Sequence, residues 1–208
     1  MSLARKERAA ICDSFEIAGP DRPTLCEGWT TRDLLAHLLV RERQPWAAGG
    51  ILVPALAPLT ERAMRGYAHT PWAEMIGLLR GGAPMWSPFW VGKVDELSNA
   101  VEFFVHHEDV RRGEPGWEPR QPDTERDDEL WALLRRMGRA LYRHSPVGVV
   151  VQRPSGERQV ARTGPGMVTL VGEPGELILH AYGRDAVRVD FEGATADVAA
   201  LGAARRGL

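Results

Sequence analysis

The stretch "VEFFVHHEDVRR" at residues 101–112 sets Glu102, His106, His107 and Asp109 among Phe and Val. On a helix, Glu102 and His106 stack on one face with their Cβ atoms about 5–6 Å apart. One carboxylate oxygen and one imidazole nitrogen can then meet at a single cation, about 2.0–2.2 Å from each. His107 points about 100° away and cannot share that ion from the same helix. Asp109, one turn beyond His106, can orient its ring from behind. The plainer reading is a side-chain hydrogen bond, because Glu and His at this spacing occur on many helices. There is no HExxH and no paired CxxC, so a third ligand must come from another segment. His37, in "RDLLAHLLV", is the candidate. Alone among leucines it reads as a core histidine. Two helices that each place a His inside a bundle, however, are how bundle-core metal sites are built.

The elements that must position these residues follow from periodicity. Leu3, Ala10, Ile11, Phe15 and Ala18 recur at helical spacing and predict a helix over 3–18, broken by "GPDRPT". Thr30 with Asp33 three residues later reads as an N-cap with an acidic first turn, opening a helix over 31–43 with Pro45 as its stop. Residues 46–56 read as a loop, with short helices expected near 57–66 and 71–80. "GGAPMWSPFW" reads as a loop holding Trp86 and Trp90. The helix carrying Glu102 and His106 is expected from about Asp95 to just before Gly113, followed by the proline-rich connector "GEPGWEPRQPD". Leu130, Leu133, Leu134, Met137 and Leu141 form the apolar stripe of a helix over 126–144.

After Pro146 the pattern changes. "VGVVVQ" and "RQVART" flank "RPSGE" as a hairpin, and "MVTLVG" is a third strand. "EPGELILHAYGR" is a helix with Pro174 near its start and Gly183 just past its end. Val187, Val189 and Phe191 alternate as a half-buried strand, and a last helix is expected over 195–204. The expected fold class is therefore α+β, with a helical domain over 1–145 and a small α+β domain over 146–208.

The bulk numbers exclude some function classes. A chain of 208 residues with a net charge of -2 has no electrostatic case for nucleic acid or an anionic membrane. Two cysteines, Cys12 and Cys26, do not make a disulfide framework. The start "MSLARKERAA" lacks an apolar signal segment, and "LLAHLLV" is far short of the roughly 20 residues of a membrane span. A cytoplasmic protein is the expectation.

Two segments, "LCEGWTTRDLLAHLLVRER" and "VEFFVHHEDVRR", resemble the signatures of the DinB/YfiT-like metalloenzymes. Within them the resemblance is to the branch that includes mycothiol-dependent maleylpyruvate isomerase. It implies an N-terminal four-helix bundle and a small, sterol-carrier-like C-terminal domain. It also implies a divalent metal, zinc first and nickel as a substitute, held by His37, Glu102 and His106. "LILHAYGRDAV" resembles the family's Gly-Arg after an apolar helix, which makes Arg184 the implied catalytic residue. Mycothiol is the implied co-substrate, with a small-molecule thiol and a small anionic substrate as partners. The loops between motifs and the chain length depart from the isomerase, so the resemblance does not extend to a substrate.

Three protein ligands leave a coordination position for water or substrate, the pattern of catalytic zinc. Such an ion can lower the pKa of bound water to about 7 or deprotonate a thiol. Two functions fit the same ligands: a metal-dependent thiol transferase or isomerase, and a non-catalytic metal-binding or sensing module. A polar network without metal is a third. Among the remaining residues, Asp33 is read first as a cap, and His107 as a core or interhelix hydrogen-bonding group. His69, His144 and His180 are read as structural or exposed, and Cys26 as a buried free thiol. The pairs Arg111–Arg112 and Arg135–Arg136 are read as solvated faces. Trp86 and Trp90 are read as core, or as walls of a ligand cleft.

Overall fold

A computed structural model of the chain describes residues 1–48, 56–87 and 92–207. The chain is α+β and divides into two compact units, Met1–Trp117 and Glu118–Leu208. Among the described residues no helix is long and apolar enough to cross a membrane.

The first unit is built from α1 (Leu3–Ala18), α2 (Thr31–Arg43), the short α3 (Pro45–Ala48), α4 (Ala57–Arg65), α5 (Trp72–Arg80) and α6 (Gly92–Arg111). The helix predicted to start near Asp95 starts at Gly92. Pro45 does end α2, but it also opens α3, as suits a residue that needs no N–H in a first turn. Ile11, Cys12 and Phe15 of α1 meet Leu34, Leu35, Leu38 and Leu39 of α2, Met75, Ile76 and Leu79 of α5, and Phe103 of α6 in one core. Removing each such side chain from water contributes about 1.5–3 kcal/mol, which offsets the entropy of ordering the helices. Burial pushes the Cys12 thiol up to about 11, so it behaves as a small apolar group.

Charged groups inside this unit are paired. Arg8 forks onto the Glu42 carboxylate at 2.8 and 2.5 Å, donates to the Leu79 carbonyl, and lies over the Phe103 ring. Arg112 is not on a solvated face. It is buried, donates to Glu108 at 2.6 Å and lies over Trp117. Trp86 is exposed rather than core and stacks on Trp46 at 5.8 Å, while Trp90 lies outside the described residues.

The second unit holds α7 (Thr124–Leu141), β1 (Gly148–Gln152), β2 (Arg158–Arg162), β3 (Met167–Val171), α8 (Pro174–Ala181), β4 (Asp190–Glu192) and α9 (Thr195–Ala203). Asp123 caps α7 by accepting from the Arg126 N–H. The apolar stripe of α7, expected with the helical part of the chain, packs on α8 and β2 of this unit. The strands form one mixed sheet of order β2-β1-β3-β4, with β1 antiparallel to β2 and parallel to β3. β2 supplies the return leg that a parallel pair requires. The turn into β3 runs tight against the start of β1, where a Cβ at Gly164 would stand 2.8 Å from the Gly148 nitrogen.

The half-buried strand expected from the alternation of Val187, Val189 and Phe191 is a correction. β4 is only Asp190–Glu192, and all its residues are exposed. The Arg188 N–H is taken at 2.7 Å by the Glu176 carboxylate of α8, and the Val187 N–H by the Asp185 carbonyl. Side-chain capture of the backbone therefore ends the ladder early.

Candidate metal centre

The loop between α1 and α2 sets the geometry of the site. Thr30 and Asp33 form a reciprocal capping box: the Thr30 N–H donates to Asp33 Oδ2 at 2.9 Å, and the Thr30 hydroxyl accepts from the Asp33 N–H. Asp33 is thus the cap it was read to be. The preceding turn is closed by Trp29 N–H to the Cys26 carbonyl and Thr24 N–H to the Trp29 carbonyl. It is tied to α6 by the Leu25 N–H, which donates to the Asp109 carbonyl at 3.0 Å. Gly113 lets the two chains approach, since a Cβ there would stand 2.1 Å from the Pro23 carbonyl oxygen. This anchoring puts the Trp29 ring 5.2 Å from that of His37 and the Cys26 thiol 3.2 Å from Asp109 Oδ2.

His37, Glu102 and His106 converge. Glu102 Oε1 lies 3.3 Å from His37 Nε2 and 3.2 Å from His106 Nε2. The two imidazoles meet edge to face at 5.1 Å, and the three ligand atoms lie within 4.8 Å of one another. The spacing suits donors gathered around an ion at about 2 Å from each. Both histidines are buried, whereas Glu102 is partly exposed. The predicted i, i+4 relation of Glu102 and His106 holds in the structure, as does the orienting position of Asp109. Asp109 Oδ2 stands 2.8 Å from His106 Nδ1 and is fully buried. A carboxylate there accepts the Nδ1–H and makes Nε2 the nitrogen that faces Glu102 and His37, able to ligate once its own proton has left.

Arg41, one turn beyond His37, was not singled out from the sequence. In "VRER" it reads as an ordinary solvated charge. The structure buries it, with Nε 3.6 Å from Glu102 Oε1 and NH1 donating to the buried Asn99 Oδ1. The usable signal was its four-residue spacing from His37, which puts both on one face of α2.

These neighbours set the protonation states. Burial alone would push the Glu102 carboxyl up. Hydrogen bonds from His106 and His37, together with the Arg41 charge, outweigh it and hold the group well below its usual range. Burial lowers His37, and its contact with Glu102 does not reverse that. Burial would also lower His106, but its hydrogen bonds with Asp109, Cys26 and Glu102 hold it well above the ordinary histidine value.

The other candidates fall elsewhere. His107 ties α6 to α1 through the Ser14 hydroxyl at 2.8 Å and Glu7 at 3.2 Å, an interhelix role as read. His69 and His144 are exposed. His180 is buried in the second unit against the Tyr142 hydroxyl at 2.8 Å and the Arg206 guanidinium. Arg184 also belongs to the second unit, at the turn after α8, where it donates to the Tyr182 carbonyl at 2.7 Å. Cys26 is partly buried rather than buried and is in no disulfide, and its hydrogen bond to Asp109 was not foreseen.

No family model and no protein of curated function matches the sequence. Solved structures do match. The mycothiol-dependent maleylpyruvate isomerase aligns over 91% of this chain and 90% of its own, with a TM-score of 0.61 and 16% sequence identity. A histidine-to-alanine mutant of that enzyme aligns over the same shares at a TM-score of 0.63 and 16% identity. The chain has the fold of that isomerase.

Proposed function

We propose that this protein is a divalent-metal-dependent enzyme of the thiol-dependent transferase or isomerase type, working with a low-molecular-weight thiol such as mycothiol. The observation that carries the reading is the convergence of His37 Nε2, Glu102 Oε1 and His106 Nε2, with Asp109 behind His106. These donors are mixed nitrogen and oxygen, which suits zinc, with nickel able to take the same ligands. The fold shared with an isomerase whose name states a dependence on mycothiol supports the thiol co-substrate. In this reading the first unit is a DinB-like four-helix bundle and the second a sterol-carrier-like domain.

Each residue has a task. His37 and His106 supply neutral nitrogens, and Glu102 supplies one negative charge. Asp109 holds His106 in the tautomer that presents Nε2. Trp29 packs beside His37, its ring tilted by 53° at 5.2 Å. Arg184 is proposed to bind an anionic group of the acceptor or of the thiol, through the planar fork that a guanidinium offers a carboxylate. An ion held by this set would supply the Lewis acidity that lowers the pKa of an arriving thiol or water.

The test is to purify the protein with its metal and measure binding and consumption of mycothiol alongside an electron-poor conjugated carboxylate, with and without chelator. Thiol binding that chelation abolishes supports the reading. A metal-loaded protein that neither binds nor consumes any low-molecular-weight thiol contradicts it and leaves the non-catalytic module ahead.

A further inference from the structure

The opening turns of α2 and the end of α4 line a cavity of about 450 Å³. Volumes of this order hold small molecules. Trp29 belongs to both this cavity and the metal centre: it lines the one, and its ring packs 5.2 Å from that of His37 in the other. The walls are set by bonds that no ligand has to make. Arg32 of α2 donates to the Thr70 carbonyl at 3.1 Å, and its guanidinium lies over the Trp72 ring, which ties α2 to the turn after α4. Within that turn the Tyr67 N–H donates to the Met64 carbonyl, and the Tyr67 carbonyl accepts from the Thr70 N–H. The polar groups keep hydrogen-bonding capacity. Thr30 engages only Oδ2 of Asp33, through its N–H and its hydroxyl, and Oδ1 accepts nothing from the described residues. Gln44 Nε2 donates to the Tyr67 hydroxyl oxygen at 3.4 Å, which leaves the hydroxyl proton to be given elsewhere. Glu61 and Arg65 are largely exposed and stand 3.8 Å apart, too far for a hydrogen bond.

We infer that this cavity binds a neutral, polyhydroxylated ring, sugar-like in its chemistry, carried by the thiol whose sulfur end goes to the neighbouring ion. The inference rests on the thiol reading above and deepens it by giving the non-reacting part of that ligand a place. Two guanidinium groups, Arg32 and Arg65, and two carboxylates, Asp33 and Glu61, line the cavity, so their charges cancel and favour neither an anion nor a cation. A plain hydrocarbon would displace water from the carboxylates and give them no hydrogen bond in return, which is costly. A ring of hydroxyls meets both demands. Each hydroxyl donates and accepts, which suits carboxylates set beside a guanidinium and a phenol. The C–H face of a saturated ring packs on the flat faces that Trp29 and Tyr67 offer.

The experiment follows the full chain by the indole N–H resonances of its seven tryptophans, with Trp29 identified by the signal that Trp29→Phe removes. Myo-inositol and methyl α-glucopyranoside, both neutral polyols, are titrated separately, with cyclohexanol and cyclohexanecarboxylate as the apolar and anionic rings. Both polyols are expected to shift the Trp29 signal saturably, and the other two rings to bind at least about fivefold more weakly. Glu61→Gln and Tyr67→Phe should each weaken the polyols about fivefold, the effect of one lost hydrogen bond. Glu61 is largely exposed, so its substitution leaves the fold intact and keeps the test open if Tyr67→Phe does not fold. Mycothiol and 2-mercaptoethanol are then titrated into the cobalt-loaded protein, whose visible spectrum reports the ion. Glu61→Gln should weaken mycothiol by the same factor and leave 2-mercaptoethanol unchanged. Polyols that leave Trp29 unmoved, a cyclohexanecarboxylate that binds as tightly, or mycothiol binding that Glu61→Gln does not change would each overturn the inference, with the thiol reading intact wherever the loaded protein still binds thiols. If the loaded protein binds neither thiol, the thiol reading itself fails and takes the assigned ligand with it.

Discussion

His106 Nδ1 stands 2.8 Å from Oδ2 of the fully buried Asp109, and this one bond decides which nitrogen of His106 faces Glu102 and His37. With Nδ1–H donated to Asp109, Nε2 is the nitrogen that can ligate once its own proton has left. Asp109→Asn keeps the side chain's shape but gives the amide a choice of presenting NH₂ to the ring, which favours the wrong tautomer. Metal affinity in the variant should drop about 10–100-fold, the usual effect of losing such an orienting partner. Competition against a chromogenic chelator measures it. An Asp109→Asn protein with wild-type affinity would show that the tautomer is set elsewhere.

Metal affinity should depend on pH through His106. Its hydrogen-bonded partners hold its pKa well above 6.5, so a proton occupies Nε2 over a range where an ordinary histidine is neutral. That proton must leave before the nitrogen can ligate. Affinity should therefore fall about tenfold for each pH unit below the raised pKa, with the decline beginning above 6.5 rather than below it. Chelator competition between pH 6 and pH 9 reads this directly. A flat profile that breaks only near 6.5 contradicts the role given to Asp109 and Glu102.

The second unit carries its own pH signature. Burial first, then the Arg206 charge, depress His180 from 6.5 to about 3. The unfolded chain therefore binds a proton between these values that the folded chain does not. Stability is fully present well above 6.5 and is lost as pH falls through it, by roughly 1.4 kcal/mol per unit once the pH is about a unit below 6.5 and until it nears 3. Urea unfolding of the second unit at pH 7.5 and 5.5 should show this loss in the wild type and not in His180→Gln. Equal losses in both proteins would remove His180 as the cause.

Much of this was legible in the sequence where one local signal acted alone. Thr30 with Asp33 fixed the start of α2, and the apolar period of 3–18 matched α1 from end to end. The approach of His37 to the Glu102 and His106 pair was suggested by two helices each carrying an inward His, and by family resemblance. It could not be measured, because the distance between helices is set by core packing from four segments. Arg41, Arg112 and the Cys26–Asp109 bond were missed for one reason: charge and thiol chemistry read from spacing alone gives no burial. The failure at β4 is of the same kind. The alternation of Val187 and Val189 is real, but Glu176, close in space and distant in sequence, claims the Arg188 N–H that the ladder needed.

The central claim is that His37, Glu102 and His106 hold one divalent ion, and the most direct measurement is metal content. Protein purified without added chelator, then saturated with zinc and desalted, should carry one ion per chain by elemental analysis. His37→Ala, with its helical circular dichroism unchanged, should carry substantially less, and Glu102→Gln and His106→Ala should behave alike. Stoichiometric zinc in folded His37→Ala protein would contradict the assignment.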